Sequence, residues 1–158
     1  MADYFENMCV AIPLEGPVDE VQAKTAWWEA VKELVNSEFN PEDGFTASLN
    51  LPEEAQDCTI CDIDIEDEAV YLMDDGGVLQ SDGLVALLQA YLQKFDPEGV
   101  VTVEIAFTCS SHRPDGFGGC AIVVTKDDAK YKTLGAACDE MLKEMGIEGG
   151  RVRTTRWT

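Results

Sequence analysis

The sequence predicts an α+β fold: an antiparallel sheet with helices packed on one face, built as a ferredoxin-like βαββαβ core plus an extra strand and a C-terminal helix. Three observations support this prediction. In the stretch TICDIDIEDE, residues 59–68, apolar and acidic residues alternate with the period of two that is typical of a half-buried strand. Three longer segments instead repeat apolar residues at helical spacing. Two runs, VVTVEIAFT and CAIVVT, are rich in the β-branched residues that strands favour. The predicted order of elements is therefore βαββαββα.

A strand followed by a helix is predicted at the N-terminus. The apolar run Met8–Leu14 is expected to form the strand, which a Gly-Pro pair ends. Asp19 belongs to a residue type that caps helices well, and we expect it to cap a helix that continues to about Phe39. The apolar stripe of this helix consists of Val21, Trp28, Val31, Val35 and Phe39.

The acidic stretch is expected to pair with the run that follows it, as a hairpin. The core-facing phase of its strand holds Cys61, Ile63 and Ile65. The opposite phase holds Asp62, Asp64 and Glu66. The second strand is predicted over Ala69–Met73, and the turn-forming residues DDGG at 74–77 are expected to end it.

Two further helices and two further strands are predicted in the C-terminal half. Ser81 or Asp82 is expected to cap a helix that ends near Phe95, before the turn sequence DPEG. Strands are predicted over Val100–Thr108 and Cys120–Thr125. Asp127 or Asp128 is then expected to cap a last helix, which ends at Gly146. The apolar side of that helix carries Leu134, Cys138, Met141, Leu142 and Met145.

The length indicates one domain with a core of its own. A chain of 158 residues is the size of a single domain, and its hydrophobic content of 46% is ordinary for a globular protein. We predict a domain over residues 1–146 and a basic C-terminal tail over residues 147–158. The tail holds three of the four arginines, at positions 151, 153 and 156.

The charges are distributed unevenly along the chain. No Lys or Arg lies between Lys32 and Lys94, whereas that interval contains fifteen Asp and Glu residues. The formal net charge is −20, beyond the magnitude of about 2–8 that keeps a small domain soluble. Crowded carboxylates repel one another, so a block of this kind indicates a use for the negative field.

The leading hypothesis is a non-enzymatic inhibitor or regulator that binds a basic, nucleic-acid-handling protein. Side chains two residues apart on a strand face lie about 6.5 Å apart, comparable to successive phosphates of a nucleic acid. A DNA- or RNA-binding groove could therefore accept the acidic strand as a mimic of its ligand. The predicted partner-binding residues are Asp62, Asp64, Glu66, Asp67, Glu68, Asp74 and Asp75. The alternative use of these charges is a solvated face that only keeps the protein in solution.

The composition also predicts a compartment and excludes several ligands. The N-terminal residues MADYFENMCV have neither the basic segment nor the long apolar run of a signal peptide, so we expect a cytoplasmic protein with reduced thiols. The negative field argues against direct binding of nucleic acid or of an anionic membrane. We expect no cofactor and no catalytic residue.

A second hypothesis places a structural zinc or a small catalytic site at four cysteine and histidine residues. Cys58 and Cys61 are spaced as in a zinc knuckle, and so are Cys109 and His112, the only histidine of the chain. A cysteine and a histidine could also form a nucleophile pair. Burial of the cysteines in the core is the simpler interpretation, and we predict no metal site.

A third hypothesis is an oligomeric interaction domain that mimics nothing. Trp27 and Trp28 are adjacent, and neighbouring helix residues point about 100° apart. One ring could therefore be buried while the other contacts a second copy of the chain, although both could equally cover the sheet.

The segment FTCSSHRPDGFGGCAIVVT, together with LLQAYLQKFDP before it, resembles small acidic proteins of phage and bacterial origin. The matching residues of the Thr-Cys-Ser-x-x-Arg and Phe-Gly-Gly pattern are Thr108, Cys109, Ser110, Arg113, Phe117, Gly118 and Gly119. The resemblance covers about the middle third of the chain and implies no activity by itself. It implies a mobile-element origin, where inhibitors of the anti-restriction and anti-CRISPR type occur, and hence action in the cytosol of a host cell.

Overall fold

The computed structural model describes residues 4–36, 62–77, 81–109, 118–151 and 153 of the chain. The strands are β1 (Tyr4–Pro13), β2 (Asp62–Ile65), β3 (Ala69–Gly77), β4 (Val101–Cys109), β5 (Gly118–Val124) and β6 (Ala129–Thr133). The helices are α1 (Val18–Asn36), α2 (Ser81–Phe95) and α3 (Leu134–Glu144), and a single 3₁₀ turn follows at Gly149–Arg151. The predicted α+β class is confirmed. The predicted end of the first helix near Phe39 lies outside the described residues.

All six strands form one antiparallel sheet, in the order β2-β3-β1-β4-β5-β6. The central strand β1 pairs with β3 along most of its length and with β4 over Tyr4–Met8. Within the described residues, the short strands β2 and β6 are the two edges of the sheet. The antiparallel sheet is therefore as predicted, but it has two strands beyond the βαββαβ elements instead of the one predicted.

The predicted hairpin is confirmed. Strand β2 pairs with β3 from Asp62 opposite Met73 to Ile65 opposite Val70. A tight turn closes the hairpin, since the Glu66 N–H donates to the Ala69 carbonyl at 3.0 Å. Ile63 is buried whereas Asp62 and Asp64 are exposed, as the period of two requires.

Two strands are longer than predicted because pairing overrides local sequence preference. The DDGG residues do not end β3, since β3 continues to Gly77, which pairs with Glu6 across a register irregularity. Strand β1 begins at Tyr4 instead of Met8, because Tyr4–Met8 pairs with the end of β4. Gly and Asp disfavour strands in isolation, but a neighbouring strand satisfies their backbone groups.

The predicted caps of the first and last helices are wrong. The Pro17 carbonyl accepts the Val21 N–H at 3.0 Å, so α1 starts before Asp19, which lies in its first turn near the positive end of the helix dipole. Asp128 does not start a helix; its carboxylate accepts the N–H of Ala129 at 2.8 Å, in the turn that leads into β6. The cap of α3 is Thr133, whose hydroxyl accepts the Ala136 N–H at 3.1 Å.

One hydrophobic cluster joins alternate strand residues to both long helices. The strand members are Met8, Val10, Ile12, Ile63, Val70, Leu72, Val103, Ile105, Cys120, Ile122 and Val124. The helix members are Trp27, Trp28 and Val31 of α1 and Leu84, Leu87, Leu88, Tyr91 and Leu92 of α2. Helix α3 contributes no residue to this cluster.

An aromatic group links α1 to α2 inside the cluster. The rings of Trp27 and Trp28 meet edge to face with centroids 4.9 Å apart, and the Tyr91 ring lies 5.2 Å from Trp28 and 5.7 Å from Trp27. Phe95 completes the group, 5.4 Å from Tyr91. Both tryptophans are buried, so the hypothesis that one of them forms a self-contact is wrong. Their rings instead pack against Tyr91 and so hold α1 next to α2.

Because the hydroxyl of Tyr91 is buried, the stability of the fold decreases at alkaline pH. Burial raises the pKa of this hydroxyl above its ordinary value of 10.0, and the Asp96 carboxylate raises it further. The Trp28 indole N–H opposes the rise, although it forms no well-aligned hydrogen bond in the described part of the chain. The neutral tyrosine is therefore favoured in the folded protein, whereas the unfolded chain ionises first as pH rises.

We expect the free energy of unfolding to decline above a pH of about 10, and Tyr91→Phe to decline less steeply than wild type. Below that pH, the hydroxyl is neutral in both the folded and the unfolded chain, so Tyr91 does not make the free energy of unfolding depend on pH. Urea unfolding in steps between pH values of about 8 and 11 measures the difference. Val31→Ala, which removes apolar atoms from the same core and no titratable group, is the control and should retain the wild-type slope. Equal slopes for wild type and Tyr91→Phe would contradict the expectation.

Candidate partner-binding surface

Five of the seven predicted partner-binding residues lie together at one edge of the sheet. Asp62 and Asp64 are on edge strand β2, and three more acidic residues form the turn that follows. We call this set the acidic edge: Asp62, Asp64, Glu66, Asp67 and Glu68. All five side chains are exposed. Their arrangement follows from the hairpin, because Glu66, Asp67 and Glu68 are the three residues that connect the ends of β2 and β3.

The other two predicted residues are placed differently. Asp74 is on β3 opposite the buried Met8, so its strand position is in the opposite phase from Asp62 and Asp64. It is half-buried and contacts a groove described below. Asp75 lies on β3 opposite Asn7, and its side chain is outside the described part of the molecule.

Basic residues gather at the opposite edge of the sheet. Lys130 and Lys132 are on β6, and Lys126 is in the turn before it. Five strand spacings separate β2 from β6, which corresponds to about 24 Å. Lys132 forms an ion pair with Glu140 of α3. These three lysines are therefore too distant to neutralise the acidic edge by direct contact.

The strand residues that alternate with the buried ones form a second, solvent-exposed surface, which we call the open face. Its exposed members on the central strands are Cys9, Ala11, Thr102, Glu104, Ala106, Ala121 and Val123. Asp62 and Asp64 belong to the same phase, since they pair with Met73 and Tyr71, which in turn pair with Cys9 and Ala11. The acidic edge is therefore continuous with the open face.

A groove of about 850 Å³ crosses the open face beside α3. Its apolar walls are formed by Cys9, Met73, Ala106, Gly119, Ala121, Leu134 and Ala137. Its polar lining includes Asn7, Asp74, Glu104, Lys132 and Thr133. Sequence reasoning missed this groove, because residues from five strands and a helix meet there only once the sheet order is known. The alternation along β4 and β5 was the one available signal.

Helix α3 directs its apolar stripe towards solvent. The stripe consists of Leu134, Cys138 and Met141 of α3 and of its C-cap residue Met145, at the i, i+4, i+7 and i+11 spacing of one helix face. Leu134, Met141 and Met145 are 56%, 52% and 71% exposed, and Cys138 is exposed as well. The amphipathic pattern is as predicted, but it does not bury the helix. Leu134 belongs to both the stripe and the groove, so the two surfaces are continuous.

Only one of the four residues considered for zinc or catalysis belongs to the described part of the chain. Cys58, Cys61 and His112 lie outside the described residues, and Cys109 is described only as the last residue of β4. Within the described ranges, no three His, Cys, Asp or Glu residues converge as metal ligands. Of the cysteines in these ranges, Cys120 is a buried core residue, whereas Cys9 and Cys138 are exposed free thiols.

Two glycines of the resemblance segment lie at the start of β5, and Gly119 has a structural role there. A Cβ atom on Gly119 would lie 2.7 Å from the Ile105 carbonyl oxygen, so the close approach of β4 and β5 requires glycine there. Gly118 has a φ of 157°, near the extended region. Ser110, Arg113 and Phe117 of the same segment lie outside the described residues.

No helix in the described ranges has both the length and the apolar character needed to cross a bilayer. Comparisons with protein-family models, with curated proteins and with solved structures find no match for this chain.

Proposed function

We propose that the protein is a non-enzymatic inhibitor or regulator that binds a basic, nucleic-acid-handling protein through its acidic edge. The observation that carries the proposal is the cluster of five exposed carboxylates on β2 and the β2–β3 turn. Carboxylates two residues apart on a strand repeat at about 6.5 Å, close to the spacing of phosphates, and the lysines of β6 are at the far edge of the sheet. The acidic edge would therefore be complementary in charge to a basic groove that binds nucleic acid.

We propose a ferredoxin-like core made of β1, α1, β2, β3, α2 and β4, with α1 and α2 on one face of the sheet. The order β2-β3-β1-β4 and the shared hydrophobic cluster support it.

The resemblance to acidic phage and bacterial proteins supports a counter-defence role, as an anti-restriction or anti-CRISPR inhibitor in the cytosol of a host cell.

The test uses the triple variant Asp62→Lys/Asp64→Lys/Glu66→Lys. Wild-type protein is used to capture a partner from a host lysate, the partner is identified by mass spectrometry, and its association rate is measured at low and high salt. For wild type we expect a drop of about tenfold or more between ionic strengths of about 0.05 and 0.5 M, because steered association is screened. The variant should bind at least about tenfold more weakly and lose most of this salt dependence.

A matched control variant distinguishes an effect of the acidic edge on affinity from an effect of the net charge. Glu98→Lys/Asp127→Lys/Glu148→Lys changes the net charge by the same amount, at three exposed positions outside the acidic edge. It should leave most of the affinity in place. Equal losses in both triple variants would show that net charge alone acts, and a wild-type affinity that does not respond to salt would reject the proposal.

A further inference from the structure

The groove and the α3 stripe together form an apolar surface that is not buried within the described part of the chain. Helix α3 has eleven residues, none of them buried, and an isolated helix of this length is marginally stable in water. Its capping by Thr133 contributes only about 1 kcal/mol. Contiguous exposed apolar surface beside a groove is typical of a protein interaction site.

The charges around the groove favour a positively charged binding partner. The open-face carboxylate of Glu104 lines the groove, and Asp62 is directly opposite Met73, one of its wall residues. Lys132, which also lines the groove, contacts Glu140 on α3. An occupant with positive charges around an apolar face would therefore match this surface.

Other occupants fit less well. A second copy of the chain would bring the same acidic rim and a formal charge of −20, so the two rims would repel each other. Nucleic acid would be repelled for the same reason. An amphipathic helix in an apolar groove is a common mode of peptide recognition, and the methionines of such grooves adapt to the side chains that enter.

We propose that this groove binds the apolar face of a basic amphipathic helix, with the apolar side chains of that helix between α3 and the open face. The inference rests on the proposed function, since the helix would belong to the same basic partner. Its lysines and arginines would lie against Glu104 and, across Met73, against the acidic edge. Binding would cover Leu134 and extend the contact along the α3 stripe.

The test uses a fluorescent peptide of about 18 residues, or roughly five turns, with leucine on one helical face and lysine on the other. Fluorescence anisotropy measures its Kd for the full-length protein. Two control peptides are used: one replaces every lysine with glutamate, and the other scrambles the leucine and lysine positions. We expect the amphipathic basic peptide to bind at least about tenfold more tightly than either control.

Two substitutions with matched controls test the location. Ala121→Tyr fills the groove, whereas Val123→Tyr adds the same ring two residues along the same strand, outside the groove lining. Leu134→Ser removes a wall residue that is already 56% exposed, and Val100→Ser is its control at 59% exposure. We expect each groove variant to raise the peptide Kd about tenfold and each control to change it less than about twofold. Because Leu134 is largely exposed, Leu134→Ser still tests the groove where Ala121→Tyr does not fold.

Three outcomes overturn the inference. They are an unchanged Kd for Leu134→Ser and Ala121→Tyr, equal affinity for the glutamate peptide, and a solution mass of twice 17.3 kDa that Ala121→Tyr abolishes, which would assign the groove to a second copy. The captured partner's salt dependence with Asp62→Lys/Asp64→Lys/Glu66→Lys decides the proposed function separately. The groove inference can therefore fail while the proposed function stands, and their failures are distinguishable.

Discussion

Replacing Trp28 with alanine is expected to lower the free energy of unfolding by about 3–5 kcal/mol. Trp28 is fully buried, contacts Trp27 edge to face and packs against Tyr91, so its removal leaves a cavity between α1 and α2. A domain of this size has a total stability of only about 5–15 kcal/mol. The substitution therefore removes a large part of the stability, and urea unfolding measures the loss.

Two comparisons make the Trp28 result specific. Val18→Ala, at a position of the same helix that is 72% exposed, should change stability by less than about 0.5 kcal/mol. Trp28→Phe retains an aromatic ring and removes the indole N–H that lacks a hydrogen bond in the described residues, so it should cost less than alanine. A loss below about 1 kcal/mol for Trp28→Ala would contradict the assigned packing.

Leu72→Ala is expected to cost about 2–5 kcal/mol. Leu72 is fully buried in β3, where it lies between Val10 of β1 and Ile63 of β2, so the cavity would be at the centre of one half of the sheet. The matched substitution is Met73→Ala, of similar volume at the next position, which is on the open face and only half-buried. It should cost less than about half as much, because the space that it leaves is open to water.

The stabilities of Leu72→Ala and Met73→Ala together test which residues of β3 face the core. Both variants are compared with wild type by urea unfolding under identical conditions. Equal losses, or a larger loss for Met73→Ala, would mean that β3 presents the other face to the core. That result would also move Asp62 and Asp64 away from solvent, because their register with β3 determines which face they occupy.

The hairpin was predictable because its signal is local. Ile63 and Ile65 alternate with Asp62 and Asp64, and burying the isoleucines leaves the carboxylates on the other side of the strand. The acidic edge was predictable for the same reason, since Glu66, Asp67 and Glu68 occupy the turn that joins the two strands. The amphipathic pattern of α3 was also visible in the sequence, but whether its stripe is covered was not.

Strand β6 was not predictable from its own residues. The sequence AKYKT has two lysines and an alanine, which are common in helices, and it adjoins a true helix at Leu134. It is a strand because β5 offers backbone partners over Cys120–Val124. The extension of β3 through DDGG has the same cause, since β1 supplies the pairing. In both cases a neighbouring strand overrides weak local preference.

The amino-acid sequence alone determined the α+β class, the acidic surplus and the exposure of the carboxylates on β2, because each depends on composition or on residues a few positions apart. Only the tertiary structure decided the strand order, and with it the separation of the acidic edge from the lysines of β6. It also decided that α3 leaves its apolar stripe exposed beside a groove. These features depend on which distant segments pair and on whether another segment covers an apolar face, and a period of two or of 3.6 residues specifies neither.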